Sequence, residues 1–230
     1  MLVTIHQPNY LPWPGFFHKW LVSDAFIILD TVQYHKNEWQ NRNRIKTAGG
    51  AQWITVPVTY RFPQMIDEVG IAQPNWARKQ VAAIEQAYAK APYTSEYWPQ
   101  LCEVMERPWD KIADLNIEVI KTLGGMLGCK APLHLASDME TVSEEPTQRL
   151  ISLCKELGGD AYLSGSEGRN YLERKKFTDA EIELWFQEVE APCYPQLHGE
   201  FISHLSVIDM LFNVGPEASE MILRMGGKGL

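Results

Sequence analysis

The sequence of 230 residues has few of the features that identify a protein class at once. Its four cysteines, Cys102, Cys129, Cys154 and Cys193, lie far apart and form neither a CxxC pair nor a paired His/Cys spacing. Small apolar thiols of this kind are common in reducing compartments. We therefore expect reduced, buried cysteines in a cytoplasmic protein.

Long apolar runs and a surplus of positive charge are also absent. No run reaches the roughly 20 apolar residues that span a bilayer, and His6 and Asn9 interrupt the N-terminus before the apolar region of a signal peptide forms. The formal net charge of −8 disfavours general nucleic-acid binding, which requires a basic face. We expect a globular protein with no transmembrane segment and no nucleic-acid partner.

Formal catalytic and binding motifs are missing as well. The sequence contains no GxGxxG or P-loop, no HExxH and no GxSxG. A metal site would need three or four suitably spaced ligands, and no such spacing is present, so we predict no metal. The candidate sites are instead four polar segments.

The first segment is the proline loop, residues 7–14, which follows an apolar strand predicted at residues 2–5. Its three prolines fix φ and remove N–H donors, so the loop adopts few conformations. Rigid polar loops often carry binding groups. We predict His6, and His18 in the following helix, as catalytic groups, and Gln7, Asn9 and Tyr10 as substrate-binding groups.

The second segment, residues 30–46, begins with Asp30 at the end of an apolar run and is locally basic. Arg42 and Arg44 alternate, so on an extended chain they point the same way. Two guanidinium groups on one side suit phosphate or carboxylate recognition. We predict Asp30 as a catalytic carboxylate. The predicted substrate-binding residues of this segment are Trp39, Asn41, Arg42, Asn43 and Arg44.

The third and fourth segments lie in the C-terminal half. Residues 164–171 leave a predicted strand with two glycines, which allow a close backbone approach, and with hydroxyls that suit phosphate. Residues 195–209 carry His198, which we predict as an acid/base or hydrogen-bonding group. The substrate-binding candidates of the third segment are Ser164, Gly165, Ser166 and Arg169.

Hydrophobic periodicity predicts an α/β fold with a mainly parallel sheet and flanking helices. Strands are expected at residues 2–5, 25–30, 52–58, 133–136, 161–164 and 181–189. Helices are expected at 15–23, at 76–91 after Pro74 and Asn75, at 95–106, at 111–127, after the 143–146 cap, at 203–212 and at 217–224. The simplest organisation is one domain, residues 1–230, with a helical insertion at 76–128.

Four stretches of the chain resemble the WbqC-like family, and the match extends over nearly the whole sequence. They are residues 5–13, 39–46, 162–165 and 205–209. The family name implies an association with bacterial surface-polysaccharide (O-antigen, lipopolysaccharide) gene clusters. The resemblance implies no catalytic mechanism, so the site residues above are predicted from the chemistry of their side chains alone.

The predicted order of the first elements is similar to the opening of nucleotidylyltransferase-type enzymes. Those enzymes carry an HxGH signature after the first strand, and this chain lacks it. The fold is therefore expected to be α/β with a nucleotidylyltransferase-like arrangement as one option. Nucleotide binding stays open on the sequence.

Three functions are compatible with these observations. The first is a transferase or ligase that acts on a sugar, amino-sugar or acyl/aminoacyl small molecule, with a phosphate-containing nucleotide or acyl-activated donor. The second is a non-catalytic binding or assembly protein of a polysaccharide-synthesis complex. The third is a metal-dependent hydrolase built on His6, Asp30 and His198. The bond formed, the cofactor and the oligomeric state are left open.

Overall fold

The computed structural model describes residues 1–73, 75–141, 143 and 145–229, with backbone alone for 227–229. In chain order, the strands of these residues are Leu2–His6 (β1), Ala25–Ile28 (β2), Arg42–Thr47 (β3), Gly50–Thr55 (β4), Val58–Thr59 (β5), Gly70–Ile71 (β6), Leu133–Leu135 (β7), Ala161–Ser164 (β8), Glu183–Val189 (β9) and Gly226–Gly229 (β10).

The α-helices of the described residues are Pro14–Val22 (α1), Trp76–Tyr88 (α2), Thr94–Glu106 (α3), Ile112–Met126 (α4), Pro146–Glu156 (α5), Arg174–Asp179 (α6), Val207–Val214 (α7) and Glu217–Leu223 (α8). Short 3₁₀ turns occur at Ile66–Glu68, Ala136–Asp138 and Ser166–Asn170. In the described part of the chain, no helix combines the length and apolarity needed to cross a membrane.

The main sheet has the strand order β10-β9-β8-β1-β2-β7. The five strands from β9 to β7 are mutually parallel, and β10 runs antiparallel to β9. This arrangement confirms the predicted α/β fold with a mainly parallel sheet. The chain moves outward from β1 through β2 to β7 on one side, and then returns to the other side of β1, where it forms β8 and β9. The topological switch point, where such sheets bind ligands, therefore lies at the carboxyl ends of β1 and β8.

Alternating side chains of the central strands pack into two hydrophobic layers. Val3 and Ile27 belong to the layer that also contains Leu150 of α5 and Phe177 of α6. Phe26 and Ile28 belong to the other layer, which continues into α1 to α4 and α7. Every residue of β2 is buried, as its uninterrupted apolar sequence predicts for a central parallel strand.

The largest difference from the sequence prediction concerns residues 42–58. The predicted strand at 52–58 is instead β4, which pairs antiparallel with β3 in a hairpin outside the main sheet. The strand β3 was not predicted because its composition is mostly polar. In the structure its alternate side chains Asn43 and Ile45 are nevertheless buried, and its arginines are half-buried. The edge strand β10 was not predicted, since its glycine-rich sequence carries no strand signal.

Side-chain caps mark the start of two helices. The tail helix predicted from residue 203 begins at Val207, because the Ser206 hydroxyl accepts from the Ile208 N–H. The helix α5 is capped by Glu145, which accepts from the N–H groups of Thr147 and Gln148. Pro74 and Glu144, which precede two of the predicted helices, lie outside the described residues.

The position of α1 over the sheet depends on its packing against α4. The Trp20 indole N–H donates to the carbonyl of Ala131 at 2.9 Å. A Cβ atom added at Gly124 would lie 2.3 Å from the Trp20 ring, so only glycine allows this contact. The neighbouring Gly125 has no atom within 4 Å of such a Cβ.

Substituting these two adjacent glycines by alanine should have opposite effects on the free energy of unfolding. Gly124→Ala forces Trp20 to shift, and we expect it to lower the free energy of unfolding by about 1–3 kcal/mol. Gly125→Ala adds a methyl group in open space on the same helix and should raise it by about 0.5–1 kcal/mol. Urea denaturation of both variants measures the difference, and equal effects would contradict the Trp20 contact.

Candidate functional site

The proline loop leaves β1 at the switch point and is held by buried amide side chains. Asn116 Nδ2, on α4, donates to the carbonyls of Pro8 at 2.8 Å and Gln40 at 2.7 Å. Asn43 Nδ2, on β3, donates to the carbonyls of Tyr10 and Leu11 at 3.3 and 2.7 Å. These bonds hold Leu11 at a φ of 42°, in the left-handed region that a bulky side chain seldom adopts.

Several predicted binding residues are therefore part of this support. Tyr10 is buried and its hydroxyl donates to Gln80, while Asn41 Nδ2 donates to the carbonyl of Val56. Gln7 Oε1 accepts from the Gln40 amide at 2.6 Å. Asn9 is also buried in the loop. The amides that suggested ligand recognition thus bind the chain itself.

The half-buried His6 lies at the end of β1 and presents a defined tautomer. Its Nδ1 is 3.0 Å from the Gln7 carbonyl, which can only accept, so Nδ1 carries the hydrogen. Burial, together with the charge of Lys19, lowers the pKa of His6 well below its ordinary value. The neutral ring then has an unprotonated Nε2, with no hydrogen-bond partner found among the described residues.

Lys19, on α1, was missed by sequence reasoning. It is 3% exposed, its Nζ donates to the carbonyl of Ile5 at 3.3 Å, and it has no ion pair within the described residues. Burial lowers the pKa of Lys19 to about 7. The available signal was its place on the apolar side of a helix, three residues after Phe16 and next to Trp20.

His18 is also buried and is held by Gln187 of β9. Gln187 Nε2 donates to the carbonyl of Gly15 at 2.8 Å and is 3.0 Å from His18 Nδ1. Burial lowers the pKa of His18, and the backbone of Gly226 opposes this shift. His18 therefore joins α1 to β9 and the edge strand, and its ring is closed to solvent.

The remaining predicted residues at this edge of the sheet interact with neighbouring residues of the chain. Both carboxylate oxygens of Asp30, after β2, accept from Ser137: Oδ1 from its N–H at 3.0 Å and Oδ2 from its hydroxyl at 2.6 Å. Arg169 forms an ion pair with Glu188 of β9. Ser164 ends β8 under the turn that begins after Gly165, and a Cβ at Gly168 would lie 2.1 Å from the Ser164 hydroxyl.

Arg42 and Arg44 lie over the same aromatic ring on the β3–β4 hairpin. Their guanidinium carbons are 4.3 and 5.7 Å from the centre of the Trp53 ring, which also contacts Trp39 at 5.6 Å. Trp39 and Trp53 are 42% and 44% exposed. Arg44 also donates to the carbonyl of His204 at 3.1 Å, which connects the hairpin to the sheet edge.

A cleft of about 620 Å³ opens next to these groups, at the carboxyl end of β9. Its walls come from the start of α1, the turn after β8, β9, β10 and the segment before α7. The side chains relevant here are Trp13, Ser166, Gln187, Glu188, Glu190 and His204. Of the predicted site residues, Ser166 lines the cleft directly.

His198 lies elsewhere, against α2. Its Nε2 is 2.7 Å from the carbonyl of Ala87, and its φ is 63°. The buried Lys46 ammonium donates to the carbonyls of Gly199 and Glu200, which follow it. Within the described residues, no group of three or more His, Cys, Asp or Glu side chains is arranged to bind a metal ion. The set His6, Asp30 and His198 is thus not assembled.

These observations define the class of protein: an α/β protein with a parallel sheet, a polar switch point and an adjoining cleft. The chain belongs to the WbqC-like protein family, whose model matches residues 7–221. It is 37% identical over 224 residues to the uncharacterized protein Rv1507c of Mycobacterium tuberculosis, covering 96% of each chain. No solved structure matches the chain.

The buried Lys19 gives a pH-dependent prediction for stability. Its pKa is near 7 in the fold and 10.5 for a lysine side chain in water, so the unfolded chain binds more protons between these values. The charged lysine therefore costs stability below pH 7, and this cost disappears as the pH rises toward 10.5. Lys19→Met should raise the free energy of unfolding at pH 6 on the order of 3–5 kcal/mol, and much less at pH 10.

Urea denaturation across this pH range measures the effect. Lys121→Met, at an exposed position on α4, is the matched control and should change stability little at any pH. A pH-independent effect of Lys19→Met would contradict the buried, lowered-pKa lysine.

Proposed function

We propose that the protein is a transferase or ligase that binds an activated, phosphate-containing donor at the switch point. The observation that carries this proposal is the pair formed by His6 and Lys19. A buried ammonium without an acidic partner costs stability, and proteins retain such groups mainly at functional sites. An anionic donor would supply the missing negative charge.

The two side chains suit complementary roles in group transfer. His6 Nε2 is an unprotonated base, so it would accept the proton of the attacking group. Lys19 is a positioning residue: burial lowers the pKa of His6, the Lys19 charge lowers this pKa further, and the field of Lys19 favours negative charge on the donor. We assign the base to His6 rather than Asp30, because Ser137 occupies both oxygens of Asp30.

The backbone of the switch-point loops would contact the donor. Gly165 and Ser166 follow β8 directly, and β8 pairs with β1. Arg42 and Arg44 add positive charge on the hairpin, where Arg44 contacts the segment that bears His204. Groups at the carboxyl ends of neighbouring strands of this kind are where α/β proteins bind nucleotides and related ligands.

The finer part of the proposal concerns the substrate and the process. The donor is nucleotide-linked or acyl-activated, and the acceptor is a sugar, amino-sugar or acyl/aminoacyl intermediate. Because the family name points to surface-polysaccharide gene clusters, we place the reaction in bacterial O-antigen biosynthesis, in the cytoplasm. Single-domain organisation with residues 76–128 as a helical insertion belongs to the same proposal.

A second function is favoured by one specific surface. Trp39, Trp53, Phe62 and Met65 are large apolar side chains that are exposed on or near the β3–β4 hairpin and the segment after it. Exposed aromatic groups of this size are typical of contacts with other proteins. A non-catalytic assembly protein would use this surface and would show no turnover.

Donor binding can be measured without knowing the reaction. In a thermal-shift screen of nucleoside triphosphates, nucleotide sugars and acyl-CoA, one class should raise the melting temperature by mass action. Lys19→Met should lose most of this shift, although it is itself more stable, whereas Lys121→Met should retain it. No stabilisation by any class would count against the donor site.

Catalysis can then be separated from binding. With the donor class known, His6→Gln should keep the thermal shift and lower turnover about 100-fold or more, since it removes the base. His134→Gln, on the edge strand β7, is the control and should keep full activity. Equal turnover in wild type and His6→Gln would contradict the assigned role, and absence of turnover in wild type with all donors would favour the assembly protein.

A further inference from the structure

The β3–β4 hairpin presents a face that combines aromatic rings with positive charge. Arg44 pairs directly with Trp53 across the hairpin, so their side chains lie on the same side, and Arg42, two residues before Arg44, shares that side. The Trp39 ring contacts the Trp53 ring, with their centres 5.6 Å apart and their planes at 36°. We call these four side chains the hairpin face.

The positive charge of the hairpin face has no acidic partner. Neither Arg42 nor Arg44 forms an ion pair within the described residues. The Nε atoms of both arginines are buried and have no hydrogen-bond partner in that part of the chain. Buried donors are normally paired, and guanidinium groups prefer carboxylate or phosphate oxygens. The hairpin face is therefore suited to an anion.

A further donor without a partner lies near Arg42. The Tyr34 side chain is fully buried, and its hydroxyl has no hydrogen-bond partner among the described residues. Burial, followed by the neighbouring Tyr60, raises the pKa of Tyr34 to about 12, and the charge of Arg42 opposes this shift. The hydroxyl is therefore protonated at neutral pH and remains a donor. It adds to the excess of donors over acceptors around Arg42.

The aromatic rings of the hairpin face are open to solvent, with Trp39 and Trp53 each more than two-fifths exposed. The Arg42 guanidinium carbon lies 4.3 Å from the centre of the Trp53 ring. Indole rings and guanidinium planes both stack on nucleobases, and this stacking tolerates every base because each has a π-face. An apolar protein partner would use the rings and leave the arginine donors unmatched. The combination therefore favours a ligand that carries both a base and an anionic group.

The hairpin face is joined by hydrogen bonds to the loop that follows β1. The Tyr10 N–H donates to the carbonyl of Trp39 at 2.8 Å. The next residue, Gln40, donates from its amide to Gln7 Oε1 at 2.6 Å. Gln7 directly follows His6, the proposed base. The hairpin face is thus held beside the switch point, where the reactive end of the donor would lie.

We propose that the hairpin face binds the nucleoside-phosphate part of the donor. A base stacks against the exposed rings of Trp39 and Trp53, and a phosphate accepts hydrogen bonds from Arg42 and Arg44. Nucleotide-linked sugars and acyl-CoA both contain such a unit, so the same face serves either donor. Calling the nucleotide a part of the donor rests on the proposed function, whereas the binding of a free nucleotide requires no reaction.

Mononucleotides test the hairpin face without any donor. By isothermal calorimetry on the full chain, we expect AMP, GMP, CMP and UMP to bind, since stacking tolerates every base. The corresponding nucleoside lacks the phosphate, and ribose phosphate lacks the base. Each of these fragments should bind about fivefold or more weakly than the nucleotide. A nucleotide that binds no better than either fragment, or no binding of any of the four nucleotides, overturns the proposal.

Substitutions locate the binding on the hairpin face. Arg42→Met should weaken nucleotide binding about tenfold and leave nucleoside binding unchanged, because it removes a charged donor to the phosphate. The retained nucleoside affinity also shows that this variant is folded. Trp39→Leu should weaken both ligands about fivefold or more, because it removes a stacking ring.

The matched control is Arg78→Met, which removes the same charge at an exposed position on α2 and should bind nucleotide like wild type. Unchanged nucleotide affinity in both Arg42→Met and Trp39→Leu would show that the nucleotide binds elsewhere and would overturn the proposal.

The failure of this inference and that of the proposed function are distinguishable. Lys19→Met should keep its mononucleotide affinity, because Lys19 acts at the switch point and not on the hairpin face. If Lys19→Met loses this affinity while Arg42→Met keeps it, the phosphate binds at the switch point, so the inference fails and the proposed function stands. Mononucleotide binding that depends on Arg42, without any donor-induced thermal shift that depends on Lys19, would leave a nucleotide site in a protein that is not the proposed transferase.

Discussion

The hydrogen bonds that Asn43 and Asn116 donate to the proline loop are the constraint on which the site depends. Each amide donates to two backbone carbonyls that water cannot reach. Buried carbonyls without partners would be costly, so these bonds specify one path for the loop. Through them, the hairpin and α4 place the loop at the end of β1, and the loop in turn sets the start of α1.

Helix α1, held in this way, in turn positions the charged and titratable side chains. The helix brings Lys19 to the carbonyl of Ile5 and His18 to Gln187, and Trp20 anchors it to the carbonyl of Ala131 in the same helix layer. The surrounding apolar packing offsets the free-energy cost of burying Lys19. Asp209 is a second buried ionisable group, whose pKa burial raises to about 7 against the opposing charge of Lys46. Burying ionisable groups of this kind lowers the stability of the fold and places charge in its interior.

The regular elements of the sheet were largely predictable, because their signals are local. The strand β8 was predicted with its observed bounds, and β1, β2 and α1 within a few residues. The hairpin was missed because Asn43 and its polar neighbours hide a half-buried strand, and β10 because its pairing with β9 is a tertiary contact. Polar residues such as Asn41 and Asn43 were singled out by the sequence as candidates for ligand binding, but their amide groups donate to backbone carbonyls of the chain itself.

The sequence by itself determined the alternation of strands and helices, the rigidity of the proline loop and the prominence of His6, since periodicity, proline geometry and residue chemistry act over short distances. Tertiary structure alone decided the strand order, and with it the switch point. It also decided which nitrogen of His6 is free, that Lys19 is buried without an acid, and that Glu188, Glu190 and Gln187 share a cleft with Trp13. These properties depend on burial and on partners distant in sequence, which no local pattern encodes.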